Sequence, residues 1–233
     1  MSRISLVLVP GLLTDRALFA PQLEALSDVA DITVANVVED DSMEGFAARL
    51  LAEAPQQFAI AGLSMGGYIA QEVMRRAPER VRGLALLDTN ARADRPEQQE
   101  ARREFVRRAE SGDFMDVVDE MFPMLVAPSR LDDAALKQTC ADMAARVGVV
   151  GFARQQNAII NRADGRGDLK AVRVPALVLC GAEDAMTPPK VHQEMVDQLP
   201  DCEYVVIDGC GHLSTLEAPD TVNAAFRRWL ARL

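Results

Sequence analysis

The sequence predicts an α/β fold, built on a mostly or wholly parallel, doubly wound sheet of about six strands. Short β-branched runs alternate along the chain with amphipathic patterns of helical period, and this alternation is typical of parallel sheets. Most runs are continuously apolar, which indicates strands that are covered on both faces. The predicted strands are residues 4–9, 32–36, 58–63, 84–88, 176–180 and 203–207.

Helices are predicted between these strands from the spacing of apolar residues. The clearest is 219–233, where Val222, Phe226 and Trp229 recur three and four residues apart along one stripe. Trp229, the only tryptophan, is therefore predicted to lie in the core. The other helices predicted outside the central segment are 19–26, 43–53, 66–77 and 190–199.

The alternation stops between residues 91 and 168, where no strand is predicted. Turn signals at Gly112, Pro128 and Gly148 separate helical patterns. The predicted helices of this segment are 97–111, 113–126, 132–147 and 151–161. We expect residues 1–90 and 169–233 to form the core and residues 91–168 to form a helical cap above the sheet.

Composition narrows the classes of function. The 233 residues include 49% hydrophobic and 26% charged residues, as in a globular protein of one domain, and the formal net charge is −10. This charge disfavours binding to nucleic acids and to anionic membranes. The four cysteines have neither metal-ligand spacing nor the pattern of a disulfide framework, and no secretory signal is recognised, so we expect a cytoplasmic protein.

A serine lies between paired glycines at a strand-to-helix boundary. Gly62-Leu63-Ser64-Met65-Gly66 follows an apolar run and precedes a helical pattern, which is the context of a nucleophile elbow. Glycine is needed there because the turn is strained and the backbones approach closely. The alternative is an ordinary tight turn in which the Ser64 hydroxyl only caps the helix.

A serine nucleophile needs a general base, and the chain has only two histidines. His212 lies in a glycine-rich loop after the last predicted strand, where ligand-binding loops converge in parallel sheets. His192 lies near the start of an amphipathic helix, and we expect it to be solvated or half-buried there. His212 is therefore the preferred base, with a purely structural loop histidine as the alternative.

A carboxylate should orient the base and stabilise its charged form. Asp184, beside Glu183, follows the fifth predicted strand, and Asp88 ends the fourth. Asp184 is preferred because the chain order is then serine, acid, histidine, each on a separate loop. The alternative role for either aspartate is a turn or a helix cap.

Two backbone amides are candidates for an oxyanion hole. One is the amide of Met65, directly after the serine, and the other is the amide of Leu12, in the loop after the first strand. Gly11 allows a sharp turn that could direct the Leu12 amide at the pocket. The alternative is an ordinary Pro10-Gly11 turn.

These segments together resemble the α/β-hydrolase superfamily over nearly the whole chain. The resemblance implies a catalytic triad of Ser64, His212 and Asp184, oxyanion amides at Leu12 and Met65, and no cofactor. Many members carry His-Gly where this chain has Pro10-Gly11. No segment matches the two antiparallel strands that usually come first, so we expect six strands, all parallel.

The predicted function is hydrolysis of a small, mainly apolar carboxylic ester, lactone or thioester through an acyl-enzyme. A carbon–carbon bond hydrolase, a perhydrolase and a binding protein with little turnover remain alternatives. The predicted pocket residues are Leu13, Phe122 and Leu213. Two histidines without H-E-x-x-H spacing give no plausible metal site. The predicted partner is a small-molecule substrate, and the oligomeric state stays open.

Overall fold

A computed structural model describes residues 3–233. It contains one sheet of six strands in the order β2-β1-β3-β4-β5-β6. Every neighbouring pair of strands is parallel. The strands are β1 (Ile4–Val9), β2 (Ala30–Val34), β3 (Phe58–Leu63), β4 (Val81–Leu87), β5 (Ala176–Gly181) and β6 (Cys202–Ile207). The predicted fold class, a wholly parallel sheet of six strands, is confirmed.

Helices cover both faces of this sheet. The α-helices are α1 (Ala20–Ala25), α2 (Met43–Glu53), α3 (Met65–Arg76), α4 (Pro96–Arg108), α5 (Phe114–Leu125), α6 (Ala134–Ile160), α7 (Pro189–Val196), α8 (Ser214–Glu217) and α9 (Pro219–Leu230). Leu6 and Leu8 of β1 pack with α1 and α9 on one face, whereas Val7 and Val9 pack with α2 and α3 on the other. The inner strands β1, β3, β4 and β5 therefore bury alternate side chains on both sides, which explains their continuously apolar runs, whereas the edge strands β2 and β6 are only partly buried.

Strand pairing shifts the boundaries of two predicted strands, β2 and β4. β2 begins and ends two residues before its prediction because it pairs only with β1, from Ile4 opposite Ala30 to Leu8 opposite Val34. β4 begins three residues before its prediction, since Val81 already pairs with Phe58 of β3. Helix α9 ends at Leu230 and α7 at Val196, each three residues before its prediction.

Helices α4, α5 and α6 lie between β4 and β5 in the chain. Gly112, with φ +117°, separates α4 from α5, and Gly148, with φ +69°, kinks α6. Gly148 thus divides α6 into two helical stretches, at the turn that the sequence predicts between residues 132–147 and 151–161. Side chains of α5 and α6 form a separate apolar cluster with Leu13, which lies in the loop after β1. These helices thus pack on the carboxyl edge of the sheet.

The last helix, α9, packs on the face of the sheet that contains Leu6 and Leu8. Trp229 of α9 is fully buried, as predicted, and its Nε1 donates a hydrogen bond to Pro175 O at 3.0 Å.

Among residues 3–233, no helix is both long enough and apolar enough to span a membrane.

Candidate active site

Ser64 occupies a strained turn between β3 and α3. Its φ is +55°, a value that L-residues rarely adopt. A Cβ on Gly62 would lie 2.1 Å from Gly66 O, and a Cβ on Gly66 would lie 2.0 Å from Val9 O. No other residue fits at either glycine without displacing the backbone. The turn therefore holds the Ser64 side chain at the start of α3, in the geometry of a nucleophile elbow.

The structure brings Ser64, His212 and Asp184 into one hydrogen-bonded chain. His212 Nε2 lies 2.9 Å from Ser64 Oγ, and His212 Nδ1 lies 2.8 Å from Asp184 Oδ2. The arrangement is self-consistent when Nδ1–H donates to the carboxylate and Nε2 accepts from the hydroxyl. Both His212 and Asp184 are buried. The geometry is that required for removal of the hydroxyl proton by the imidazole.

Asp184 is held by donors other than the imidazole. Met186 N and Thr187 N donate to Oδ1 at 2.9 and 2.8 Å, and Thr187 Oγ1 donates to Oδ2 at 2.7 Å. Burial opposes ionisation, but the charge and hydrogen bonds of His212 and Thr187 hold the pKa of Asp184 below its ordinary value. The carboxylate is therefore ionised and fixed in orientation.

The electrostatics of His212 follow from its position beside that carboxylate. Burial disfavours the imidazolium, but the charge of Asp184 and the hydrogen bond to it outweigh burial and raise the pKa of His212 above its ordinary value. A base with such a pKa gains a proton readily from a hydroxyl near neutral pH.

Asp88, the alternative acid, is fully buried, and it makes no hydrogen bond to His212 in the described part of the chain. Gly181 N donates to its Oδ1 at 3.1 Å, Ser214 N donates to its Oδ2 at 3.3 Å, and the Ser214 hydroxyl makes a short contact with Oδ2. Full burial and the negative charge of Asp184 raise the pKa of Asp88 well above its ordinary value. Asp88 thus joins the end of β4 to β5 and to α8.

The prediction that His192 is solvated or half-buried is wrong, since this residue is fully buried. Its Nε2 accepts a hydrogen bond from Thr89 N at 2.9 Å, and Nδ1 lies 3.3 Å from Pro188 O. Thr89 Oγ1 in turn donates to Ser64 O at 2.8 Å. Desolvation lowers the pKa of His192 to about 4. Its neutral ring therefore supports the backbone of the elbow and makes no contact with the serine hydroxyl.

The amides of Leu12 and Met65 both lack an acceptor within residues 3–233. A Cβ on Gly11 would lie 3.2 Å from Leu63 O and 3.3 Å from Ser64 Cβ, so the loop after β1 contacts the elbow closely. Both predicted oxyanion amides thus stand next to the serine with their N–H groups free to donate.

A buried glutamine from α6 fixes the loop that carries Leu12. Leu13 has φ +59°, and its N–H donates to Gln155 Oε1 at 3.0 Å. Gln155 Nε2 donates to Val37 O at 2.9 Å, and the side chain is fully buried. Sequence reasoning missed Gln155, because a glutamine on a helix gives no signal of a partner 142 residues away.

Glu217 holds the loop that carries His212. Its Oε2 accepts hydrogen bonds from Ala127 N at 2.8 Å and Gly211 N at 3.2 Å, and its Oε1 accepts from Leu213 N at 3.1 Å. The two amides that flank His212 are therefore bound to one carboxylate. This residue was also missed, although a carboxylate just after a glycine-rich loop is a local signal for such a role.

One pocket opens onto the serine. The predicted pocket residues Leu13 and Leu213 line it. Phe122 does not, because Met121 and Leu125 form the pocket-facing side of α5, and Phe122 lines a smaller adjoining cavity. The apolar side of the pocket comprises Leu12, Leu13, Leu63, Met121, Leu125, Ile159, Met186 and Leu213. The polar side comprises Tyr68, Asn90, Asp94, Gln98, Arg102 and Arg162.

Within residues 3–233, no group of three or more histidine, cysteine, aspartate or glutamate side chains is arranged to hold a metal ion.

Comparison with known proteins places the chain in a family. The model of the alpha/beta hydrolase family matches residues 5–225. The chain belongs to this family. It is 31% identical over 183 residues to the non-heme bromoperoxidase candidate BpoC of Mycobacterium tuberculosis, a match that covers 74% of this chain and 67% of the relative. It is 28% identical over 193 residues to a pimeloyl-[acyl-carrier protein] methyl ester esterase of Aromatoleum aromaticum, covering 77% and 76%.

Among solved structures, the α/β-hydrolase described here is similar to a thermophilic esterase from Thermogutta terrifontis, solved with malate bound. The two share 30% identity with a TM-score of 0.90, over 99% of this chain and 90% of the esterase. The likeness therefore extends through the sheet and through the helices between β4 and β5. This chain is an esterase-like hydrolase of the α/β-hydrolase family.

The buried neutral His192 predicts acid sensitivity of the fold. The unfolded chain protonates this histidine near its ordinary pKa, whereas the folded protein resists protonation until about pH 4. The unfolded state therefore binds more protons between these limits, and stability falls as the pH drops through this window. The loss attributable to His192 should reach roughly 2 to 3 kcal/mol by about pH 4.5.

Urea unfolding of the wild type and of His192→Gln, at neutral pH and near pH 4.5, measures this contribution. Glutamine can still accept a hydrogen bond from Thr89 N but does not titrate. The variant should lack this part of the acid-induced loss. An equal loss in both proteins would contradict the assignment of a neutral buried imidazole.

Proposed function

We propose that the protein is a serine hydrolase that cleaves a small carboxylic ester through an acyl-enzyme. The observation that carries the proposal is the hydrogen-bonded chain of Ser64, His212 and Asp184 at the floor of an open pocket. Lactones and thioesters present the same acyl carbon and are included in this substrate class.

In the first step, His212 Nε2 takes the Ser64 proton while Oγ attacks the carbonyl carbon. The negative charge on the carbonyl oxygen is stabilised by the amides of Leu12 and Met65. The imidazolium is stabilised by Asp184, and it then protonates the leaving alcohol. In the second step, His212 takes a proton from water, which attacks the acyl carbon and releases the acid and the free serine.

The substrate range is proposed from the pocket and supported by the relatives. The acyl group would lie against the apolar side of the pocket, which favours a small, mainly apolar chain there. The relatives named as esterases support ester cleavage over the carbon–carbon bond and binding-protein alternatives. We also propose that residues 91–168 act as the cap of this pocket, because Met121, Ile159 and Arg162 of this segment line it.

Perhydrolysis is a second candidate, favoured by the similarity to the bromoperoxidase candidate BpoC. Hydrogen peroxide would replace water in the second step, attack the acyl-enzyme and leave as a peracid. Peracid formation from acetate ester and peroxide, measured by bromination of a dye, distinguishes this activity from hydrolysis alone.

We further propose that the protein works on a small molecule in a reducing compartment such as the cytoplasm. All four cysteines are free thiols, and burial raises the pKa of Cys140 and Cys180 to about 12, so these thiols stay protonated. The net charge of −10 opposes stable contact with nucleic acids or anionic lipids.

Ser64→Ala and His212→Ala should each lower kcat for p-nitrophenyl acetate by a factor on the order of 10⁴ or more, because each removes a group that acts in the transition state. Initial rates of p-nitrophenol release measure the loss. Ser111 is an exposed serine, so Ser111→Ala serves as the control and should retain full activity. Wild-type rates in a folded Ser64→Ala protein would refute the mechanism.

The raised pKa of His212 predicts the acid limb of the activity profile. The base must be neutral to act, so kcat/KM should rise with pH to a plateau, with its midpoint above pH 6.5.

Asp184→Asn should lower kcat by roughly 10³ to 10⁴, by the precedent of serine proteases. Asp88→Asn should cost far less activity, since Asp88 makes no hydrogen bond with His212 in the described structure. A larger loss in Asp88→Asn than in Asp184→Asn would reverse the assignment of the acid.

A further inference from the structure

Three charged residues form a cluster on the polar side of the pocket. Arg102 Nε donates to Asp94 Oδ2 at 2.6 Å, and Arg162 Nη2 lies 2.8 Å from Asp94 Oδ1. All three line the same pocket as Ser64 and His212. The Asp94 side chain is only 1% exposed, the Arg162 side chain 6% and the Arg102 side chain 19%.

The charges of this cluster do not cancel. Two guanidinium groups share a single carboxylate, so the cluster carries one net positive charge in a protein whose net charge is −10. The charge of Asp184 lies behind His212 and is already bound by four hydrogen bonds. The excess positive charge of the cluster therefore faces the pocket without a counter-charge among its lining residues.

The two arginines differ in how many of their donors are occupied. Arg162 has a protein partner at every nitrogen. Nε donates to Arg92 O and Nη1 donates to Ile159 O, each at 2.9 Å, whereas Nη2 forms an ion pair with Asp94 Oδ1 that lacks hydrogen-bond geometry. Its guanidinium also lies 4.2 Å from the centre of the Tyr68 ring. Arg162 is thus a fixed part of the wall.

Arg102 keeps donors free. Its Nε binds Asp94 and its Nη1 donates to Gln156 Oε1 at 3.0 Å, but Nη2 has no acceptor among residues 3–233. The same is true of Gln156 Nε2, a buried amide beside it. A partly buried guanidinium with an unoccupied Nη2, in a pocket of net positive charge, is suited to bind a carboxylate through a charge-assisted hydrogen bond.

We propose that the substrate is an ester that carries a second, free carboxylate, as in the half-ester of a short dicarboxylic acid, and that Arg102 binds this carboxylate. The inference rests on the proposed ester hydrolysis and names its substrate class. One negative charge balances the cluster, whereas a phosphate dianion would exceed it. The apolar side of the pocket then contacts the methylene chain between the two carboxyl groups.

Two matched substrates test this proposal. Monomethyl glutarate and methyl pentanoate have acyl chains of equal carbon count and differ in a terminal carboxylate or methyl group. Wild-type kcat/KM, followed by acid release in a pH-stat, should be at least tenfold higher for the charged ester. Arg102→Gln should lower kcat/KM for monomethyl glutarate by about ten- to hundredfold, mainly through KM, and should affect methyl pentanoate much less.

Arg103→Gln, which removes an exposed arginine one residue further along α4, is the matched control and should leave both esters unaffected. Arg102→Lys should recover part of the preference, because it keeps the charge without the planar fork. A thermal melt of each variant separates loss of binding from loss of fold.

Binding without turnover separates this proposal from the proposed function. Glutarate should stabilise Ser64→Ala against thermal unfolding, whereas pentanoate should do so far less, and Arg102→Gln should abolish this difference. Glutarate binding together with failure to cleave either ester would refute the hydrolase mechanism alone. Cleavage of both esters with equal kcat/KM, and equal effects of both acids on the melt, would overturn the carboxylate site alone.

Discussion

The parallel alignment of β3, β5 and β6 is the constraint on which the site depends. Parallel strands end at the same edge of the sheet, so the residues that follow them meet although they are far apart in the chain. Ser64 follows β3, Asp184 follows β5 and His212 follows β6. The sheet itself is held by apolar layers on both faces, and it determines which loops can supply reacting groups.

Loops at such an edge keep reacting groups at fixed distances only when other side chains bind the loop backbone. Three side chains do this here, of which Asp88 and Gln155 are buried and Glu217 is partly buried. Asp88 joins β4, β5 and α8, Glu217 binds the amides on both sides of His212, and Gln155 fixes the Leu13 amide. Gln155 and the Ala127 amide belong to the helical segment between β4 and β5. The position of that segment and the shape of the oxyanion loop are therefore linked through specific hydrogen bonds.

Features that depend on local chemistry could be predicted from the sequence, and features that depend on distant partners could not. The elbow at Ser64 and the glycines around it follow from the strain of one turn, and the apolar strands follow from two-sided burial. The burial of His192 depends on Thr89, 103 residues away, which periodicity on α7 does not indicate. Phe122 was misplaced for a similar reason, since a rotation of one residue around α5 moves a side chain from the pocket to an adjoining cavity.

Activated-serine labelling tests the central claim most directly, because only a hydroxyl with a working base reacts readily with a fluorophosphonate. Intact mass and peptide mapping after brief exposure should show a single adduct on the peptide that contains Ser64, formed far more slowly in His212→Ala. A folded wild-type protein that resists the reagent, or that carries the adduct on another residue, would contradict the view that these distant loops assemble one reactive centre.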